Sequence, residues 1–222
     1  MTKTLSTFAP IPGQSALWSA TAGTLRCTAL RLRDTTLCLY SPVLGLAEAA
    51  SISLKALGEV SFLLAPNHYH NKGLREYAQA FPDAALICSD KARPRLEKQT
   101  GLSFGGLDRL TSQLPDDLKL ALPDGLKTGE VWLTSDMSED HAWIVCDAFK
   151  GPSGKSDNIS SHIEMLGTFP TYGIKDRATY LGWVKTKLKA KTPKMVVPCH
   201  GTIVRSGHLC SDMLCLLSRE ID

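Results

Sequence analysis

The chain has 222 residues, a net charge of +3, 43% hydrophobic residues and 21% charged residues, which is typical of a globular protein with a core of normal size. A charge this small gives no argument for nucleic-acid binding. The seven cysteines form no Cys-x-x-Cys pair, and no apolar run is long enough for a signal peptide or a membrane helix, so we expect a cytoplasmic protein without nucleic-acid or membrane partners.

The first half of the chain is predicted to be rich in strands. Apolar runs and polar–apolar alternation predict strands at residues 15–20, 25–33, 36–42, 60–65 and 84–88. Helical spacing predicts helices at residues 46–57 and 74–80, and a third from residue 89 or 90 to about 99. Residues 101–116 are predicted to be mostly loop.

In the second half, strands alternate with helices. Strands are predicted at residues 118–122, 130–134, 142–146 and 195–198, and helices at 158–166, 176–191 and 208–219. This order indicates two sheets, or one mixed sheet, flanked by helices. Because no repeat or linker interrupts the chain, we predict a single domain spanning residues 1–222.

Residues 66–73, with the sequence PNHYHNKG, connect a predicted buried strand to a predicted helix. They contain His68 and His70, which are two positions apart. In an extended segment such residues point to the same side, so both imidazoles are expected to face one point beyond the strand end, where open α/β sheets place ligands. Two imidazoles begin a metal site but do not hold a metal tightly.

Two later strands also end at potential metal ligands. Asp147 follows residues 142–146, and His200 follows residues 195–198. Singly, Asp147 also suits the cap of a turn, and His200 a hydrogen-bonded loop histidine. Since strand ends gather residues that are distant in sequence, imidazoles and a carboxylate placed there together indicate a zinc or iron site.

These segments, in this order, resemble the signature of the metallo-β-lactamase fold superfamily. On that resemblance, His68 and His70 match the first two histidines, Asp147 matches the aspartate at a strand end, and His200 matches the last histidine. The resemblance implies an α/β (α+β) fold, an αββα sandwich of two mixed β-sheets flanked by helices. It also implies a site at one edge of the two sheets.

The chain lacks the residues with which that signature binds a second metal. Lys72 and Gly73 stand where the signature has an aspartate and a histidine, and residues 126–130 lack the middle histidine. His141 precedes the same strand that Asp147 follows, so we do not include it. An ammonium group repels a second cation, which favours one metal at most. Alternatively, Lys72 pairs with Asp147 in a site that holds no metal.

The resemblance leaves a reduced ligand set. The expected cofactor is one divalent metal, with zinc the first choice and iron or manganese the alternatives, or no metal at all. Its expected ligands are His68, His70, Asp147 and His200, and the last two are the expected catalytic residues.

Two functions follow, and the sequence leaves both open. The first is a hydrolase acting on an ester, thioester, amide or phosphoester through metal-activated water. The second is a metal-free pseudoenzyme that binds a small-molecule ligand or a partner protein. A third hypothesis, an interaction scaffold, predicts an exposed apolar patch away from the strand ends. We expect a small-molecule substrate or ligand, pocket walls formed by residues 101–116 and 150–157, and either a monomer or a homodimer.

A glycine-rich segment, GPSGKS at residues 151–156, resembles the end of a phosphate-binding loop. The full pattern needs a glycine five positions before Gly154, and Phe149 stands there, so nucleotide binding is not expected. Because the segment follows Asp147 closely, its backbone N–H groups are available to the site. Cys199, beside His200, is expected to be a packed thiol.

Overall fold

The computed structural model describes residues 7–136, 140–154 and 158–221. The first sheet contains, in spatial order, β1 (Ala9–Pro10), β2 (Leu17–Ala22), β3 (Leu25–Arg31), β4 (Leu37–Tyr40), β5 (Val60–Leu64) and β6 (Ala85–Ile87). The second sheet contains β7 (Leu118–Ala121), β8 (Trp132–Ser135), β9 (Ala142–Val145), β10 (Ile159–Ser160), β11 (Met195–Pro198) and β12 (Ile203–Arg205). Its spatial order is β10-β12-β11-β9-β8-β7.

Seven helices accompany the sheets within the described ranges: α1 (Ala47–Ser53), α2 (Leu74–Ala80), α3 (Arg93–Thr100), α4 (Asp108–Thr111), α5 (Phe169–Tyr172), α6 (Arg177–Ala190) and α7 (Leu209–Glu220). None of these helices is both long enough and apolar enough to cross a membrane.

Alternate residues of the central strands pack on opposite faces of their sheet. In β5, Phe62 and Leu64 join the apolar cluster that contains residues of both sheets, whereas Leu63 packs outward with residues of α1 and α2. In β11, Met195 packs inward, and Val196 packs outward with residues of α6 and α7. Strands covered on both faces have continuous apolar sequences, as these do. The predicted αββα sandwich is confirmed.

The parallel strands bring several strand ends to one edge of the sandwich. β4, β5 and β6 run parallel in the first sheet, and β9 and β11 run parallel in the second. Parallel strands end on the same side, so the residues that follow them are placed near one another. Those residues are Ser41 after β4, the 66–73 segment after β5, Asp147 after β9 and His200 after β11.

The helix predicted at residues 158–166 is wrong. Ile159 and Ser160 form the short strand β10, which pairs in parallel with Ile203 and Val204 of β12. The Ser160 hydroxyl then accepts a hydrogen bond from the His162 backbone N–H at 3.0 Å, which turns the chain. A β-branched residue followed by serines favours this geometry over a helix. The predictions also missed the short elements β1, α4, α5 and β12, whereas α2 and β11 have the predicted bounds.

Candidate metal centre

The chain turns sharply as it leaves β5. The side-chain oxygen of Asn67 accepts hydrogen bonds from the backbone N–H groups of Tyr69 and His70, at 2.8 and 3.2 Å. This is an Asx turn, in which an asparagine side chain replaces a backbone acceptor. Because the segment is not extended, the i, i+2 geometry expected of His68 and His70 does not form.

Three candidate ligands from three strand ends converge on one point. His70 Nε2 lies 3.0 Å from Asp147 Oδ1, and His200 Nε2 lies 2.9 Å from the same oxygen. The two Nε2 atoms are 3.3 Å apart. The three side chains are 10%, 11% and 19% exposed for His70, Asp147 and His200, so the cluster is largely shielded from water yet reachable.

Hydrogen bonds outside the cluster fix the orientation of two of these groups. The Ser41 hydroxyl lies 2.8 Å from His70 Nδ1, which directs Nε2 toward Asp147. The Asn67 amide donates to Asp147 Oδ2 at 2.7 Å, which leaves Oδ1 for the histidines. Asn67 therefore shapes the turn that carries His70 and also holds the carboxylate that His70 meets. Such outer partners are typical of metal sites.

Glu130 supports the backbone on which Asp147 stands. Its Oε1 atom accepts from the backbone N–H groups of Cys146, Asp147 and Ala148, at 3.2–3.3 Å. It also accepts from the Trp132 indole N–H at 2.7 Å. No sequence pattern marks this residue, because a single acidic residue at the start of a predicted strand gives no distinctive signal. Its full burial is visible only once the sheets are assembled.

His200 is held by a tight crossing of three segments. The Gly201 N–H donates to Thr24 O at 2.8 Å, and the Arg26 N–H donates to Cys199 O at 2.8 Å. Gly201 has φ +76°, and a Cβ atom there would lie 2.1 Å from Gly151 O. Only glycine fits such a position. The Gly151 N–H donates to His200 O, so the glycine-rich segment does reach the site; its Lys155 and Ser156 lie outside the described residues.

The electrostatics of the cluster favour an ion pair when no metal is bound. Burial lowers the pKa of His70, but the charge and hydrogen bond of Asp147 more than offset this and raise it to about 9. Burial raises the pKa of Asp147, but the charge of His70 and the hydrogen bonds from both histidines hold it well below its usual value. Burial and the Asp147 charge raise the pKa of Glu130 to about 7.

Comparisons with known proteins agree with this architecture. No family model and no curated protein matches the sequence. Among solved structures, a metallo-β-lactamase from Hirschia baltica matches with a TM-score of 0.65 at 11% identity, over 96% of this chain and 98% of the other. One from Pontibacter korlensis matches with a TM-score of 0.63 at 16% identity, over 96% and 99%. The chain has the metallo-β-lactamase fold.

A second kind of protein shares this fold. The metal-soaked flavodiiron core from Synechocystis matches with a TM-score of 0.61 at 14% identity. The alignment covers 96% of this chain but 61% of the flavodiiron chain, so this chain spans less than two thirds of that protein. Structural matches at identities this low establish the metallo-β-lactamase fold alone. The chemistry of the site has to be inferred from its own residues.

His68 is not part of the converging group. It is absent from the clusters of potential ligands whose donor atoms lie within 4.8 Å of one another among the described residues, and from the cleft lining. Its ring packs edge-on against Tyr69, and its buried Nε2 atom has no hydrogen-bond partner. Burial and the nearby charge of Arg95 lower the pKa of His68 to about 4, so its ring is neutral. Its role as a ligand stays a prediction.

Backbone atoms leave no room at position 73 for the histidine that the metallo-β-lactamase signature has there. A Cβ atom on Gly73 would lie 2.4 Å from Pro42 O and 2.8 Å from Leu44 N, so a histidine cannot occupy position 73 without moving that loop. Lys72 is exposed and lines the cleft. No ion pair joins Lys72 to Asp147 in the described part of the chain.

The three converging residues fit a single divalent metal. Two imidazole nitrogens and a carboxylate oxygen are ligands that zinc accepts, and tetrahedral donors about 2.0–2.1 Å from zinc lie about 3.3 Å from one another. The observed spacings of 2.9–3.3 Å are close to this value. Without a cation, both Nε2 atoms lie within hydrogen-bond distance of the same oxygen of Asp147 and 3.3 Å from each other, which crowds any protons that they carry. One metal ion would bind all three atoms in place of those protons.

Of the two buried thiols near the site, Cys146 is the less suited to hold a metal. Cys146 and Cys199 lie close enough to His70 for all three donor atoms to fall within 4.8 Å of one another. Burial and a hydrogen bond with Cys199 raise the pKa of Cys146 well above its usual value, so this thiol keeps its proton. Cys199 is 2% exposed, as expected for a packed thiol.

The converging residues lie at a cleft of about 1080 Å³. Its walls are the turn between β2 and β3, the loop between β4 and α1, the turn that carries His70, one residue of α3, and residues 166–172. Residues 101–116 and 150–154 do not line it, so the expectation that those loops form the pocket walls is wrong for the described residues. The volume is that of a site for a small molecule.

Proposed function

We propose that this chain is a hydrolase with one metal centre, held by His70, Asp147 and His200. The observation that carries the proposal is the convergence of two Nε2 atoms and one carboxylate oxygen, 2.9–3.3 Å apart, at the base of an open cleft. Zinc is the first candidate, with iron and manganese as alternatives. The substrate classes are an ester, a thioester, an amide or a phosphoester.

A divalent metal bound here would polarise a carbonyl or phosphoryl oxygen and lower the pKa of a water molecule. The residues of the chain provide the rest. Ser41 fixes the ring of His70 so that Nε2 faces the centre, and Asn67 holds Asp147 Oδ2 so that Oδ1 does. Since the three side chains are at most 19% exposed, their charges act in a partly desolvated site, where electrostatic effects are strong.

A metal-free binding protein is the second candidate, and one observation favours it. Both oxygens of Asp147 already have protein partners, Oδ1 from the two histidines and Oδ2 from Asn67. The raised pKa of His70 means that this closed ion pair persists at neutral pH. In that case the cleft binds a ligand without hydrolysing it.

Metal content separates the two candidates. The full chain would be purified without a histidine tag, incubated with micromolar zinc, iron or manganese, desalted, and analysed by elemental mass spectrometry. The test variant is the double substitution His70→Ala and His200→Ala. The matched control is His162→Ala with His208→Ala, since both of these histidines are exposed and lie outside the cleft.

We expect about one metal per chain in the unmodified protein and in the control, and none in the test variant. A protein that takes up no metal would end the hydrolase proposal and leave the binding-protein candidate. Equal loss of metal in the control would contradict the assigned ligands. The added variant His68→Ala should keep its metal, because His68 lies outside the converging group.

A further inference from the structure

The exposed apolar side chains concentrate at the cleft. Among the described residues, seven large apolar or aromatic side chains are exposed, and four of them line the cleft: Leu25, Leu44, Tyr69 and Tyr172. They come from four separate segments of the chain, so no single local sequence explains their grouping. Exposed apolar surface that gathers around a concave site indicates a ligand that covers it.

Two cations stand at the same cleft without an anionic partner. Lys72 and Arg95 both line it and are exposed, and neither makes an ion pair within the described ranges. Arg95 stacks on the Tyr69 ring, with its guanidinium carbon 4.6 Å from the ring centroid. Stacking fixes the plane of the guanidinium and leaves its N–H edge available for an anion.

The cleft contains little negative charge to oppose these cations. Asp147 is the one acidic residue among the described residues that line it, and both of its carboxylate oxygens already have partners, in His70, His200 and Asn67. The charges of the lining therefore favour an anion, while most of the wall favours an apolar group. A small inorganic anion would leave the apolar wall uncovered, and a neutral lipid would leave both cations unpaired.

We propose that the ligand of this cleft is a small amphipathic anion. An apolar acyl or aryl body lies against Leu25, Leu44 and Tyr172, and an anionic group lies between Lys72 and Arg95. This inference rests on the proposed function, because it describes the substrate class of the same site. A volume of about 1080 Å³ accommodates a molecule of this kind.

The test is a comparison of three probes by isothermal titration calorimetry on the full chain. Octanoate carries both features, octanamide has the same chain without the charge, and acetate has the charge without the chain. Each titration is made with metal-loaded protein and with chelator-treated protein, because a carboxylate also binds a metal directly. We expect octanoate to bind chelator-treated protein at least tenfold more tightly than either of the other probes.

Charge-removing variants locate the anion. Lys72→Gln and Arg95→Gln should each weaken octanoate binding about fivefold and leave octanamide binding unchanged. The matched controls are Lys187→Gln and Arg31→Gln. Lys187 stacks 5.2 Å from the Trp183 ring centroid and Arg31 5.1 Å from that of Trp18, both outside the cleft lining. Neither control should change octanoate binding.

The outcomes separate this inference from the proposed function. Equal binding of octanoate and octanamide, or no effect of Lys72→Gln and Arg95→Gln, overturns the inference even when the protein holds a metal. Charge-dependent octanoate binding by a protein that takes up no metal supports the inference and removes the hydrolase proposal. Absence of octanoate binding at millimolar concentration also overturns the inference.

Discussion

Asp136 and Asp147 each lie beside an imidazole and one further nitrogen-bearing side chain, yet only Asp147 belongs to a set of residues that fits a metal ion. Asp136 Oδ1 lies 2.6 Å from His141 Nδ1 and forms an ion pair with Lys191. Asp147 Oδ1 lies 3.0 Å from His70 Nε2 and 2.9 Å from His200 Nε2. His141 and Asp147 stand at opposite ends of β9, six residues apart, which is roughly 20 Å of extended chain.

The difference lies in the second group that faces each carboxylate oxygen, which is an ammonium at Asp136 and an imidazole at Asp147. His141 donates through Nδ1 and accepts from the Trp143 indole N–H at Nε2, 3.1 Å away, so both of its nitrogens are used by the protein. The ammonium of Lys191 cannot bind a metal. At Asp147, by contrast, both imidazoles present the same kind of atom to one oxygen. A histidine beside an aspartate therefore indicates a metal centre only when a further ligand atom converges on the same oxygen, as His200 Nε2 does at Asp147 and the ammonium of Lys191 does not at Asp136.

The largest expected effect is on metal content, when each of the two carboxylates is replaced by an amide. Asp147→Asn removes the anionic ligand and should reduce metal content from about one per chain to none, measured by elemental mass spectrometry after desalting. Asp136→Asn should leave metal content unchanged, because that cluster offers no set of three ligands. Retention of a full complement of metal by Asp147→Asn would contradict the proposed centre.

The second prediction concerns the residue beneath Asp147. Glu130→Ala leaves three backbone N–H groups and the Trp132 indole N–H without an acceptor in a buried region. Losing partners of this kind costs about 1–3 kcal/mol each at most, with part of the cost recovered by water, so we expect a loss of about 3 kcal/mol in the free energy of unfolding.

Urea unfolding followed by tryptophan fluorescence measures that loss. The control is Glu164→Ala, which removes a half-exposed partner of Lys150 and should change stability by no more than about 1 kcal/mol. An effect of Glu130→Ala as small as that of the control would show that Glu130 does not hold the strand end.

The sequence predicted part of this site, namely the residues that follow apolar strands. The strand ends followed by Asp147 and His200 were visible because apolar runs stop there, and parallel pairing then brought the two residues together. The placement of His68 could not be derived, because it depends on the Asn67 side chain replacing a backbone acceptor. The two hydrogen bonds from the Tyr69 and His70 N–H groups to Asn67 Oδ1 outweigh the preference of this segment for an extended backbone.

Packing against distant segments accounts for the other failures. The loop between β4 and α1 lies against Gly73, and the pairing of β10 with β12 replaces a predicted helix. Both depend on contacts between residues far apart in sequence, which local patterns do not encode. The apolar runs of β5 and β11 are local patterns, and they indicate strands that need cover on both faces. The αββα arrangement itself was implied by the resemblance of the strand ends to the metallo-β-lactamase signature.

A third prediction uses pH to separate the clusters in metal-depleted protein. The pKa of His70 is raised from 6.5 to about 9, so its contribution to stability is complete below pH 6.5 and is lost as pH rises toward 9. The pKa of Asp136 is lowered, so its contribution is lost only as pH falls below about 3.8. Glu130, with a pKa raised to about 7, also contributes stability that is lost as pH rises, mainly between about pH 4.5 and 7, so its window overlaps the lower part of that of His70.

Between about pH 8 and 9, where Glu130 is largely ionised in both the folded and the unfolded states, the free energy of unfolding should therefore fall by at most about 1.4 kcal/mol per pH unit, which corresponds to one proton. Urea unfolding at a series of pH values measures this slope. His70→Asn should flatten it, and Asp136→Asn should leave it unchanged. A slope that persists in His70→Asn would assign the proton to another group and contradict the ion pair with Asp147.

The smallest effect on stability is expected when the exposed member of the Asp136 cluster, Lys191, is removed. Lys191→Ala removes an ammonium group that is 57% exposed, while Asp136 keeps its hydrogen bond with His141. Exposed ion pairs contribute about 0–1 kcal/mol, so the free energy of unfolding should change by less than about 1 kcal/mol and the metal content should stay constant. A loss above about 2 kcal/mol would mean that Lys191 is needed to hold Asp136 against His141. The two clusters would then be alike in depending on every member, and only the identity of the third member, an ammonium or an imidazole, would distinguish a structural contact from a metal centre.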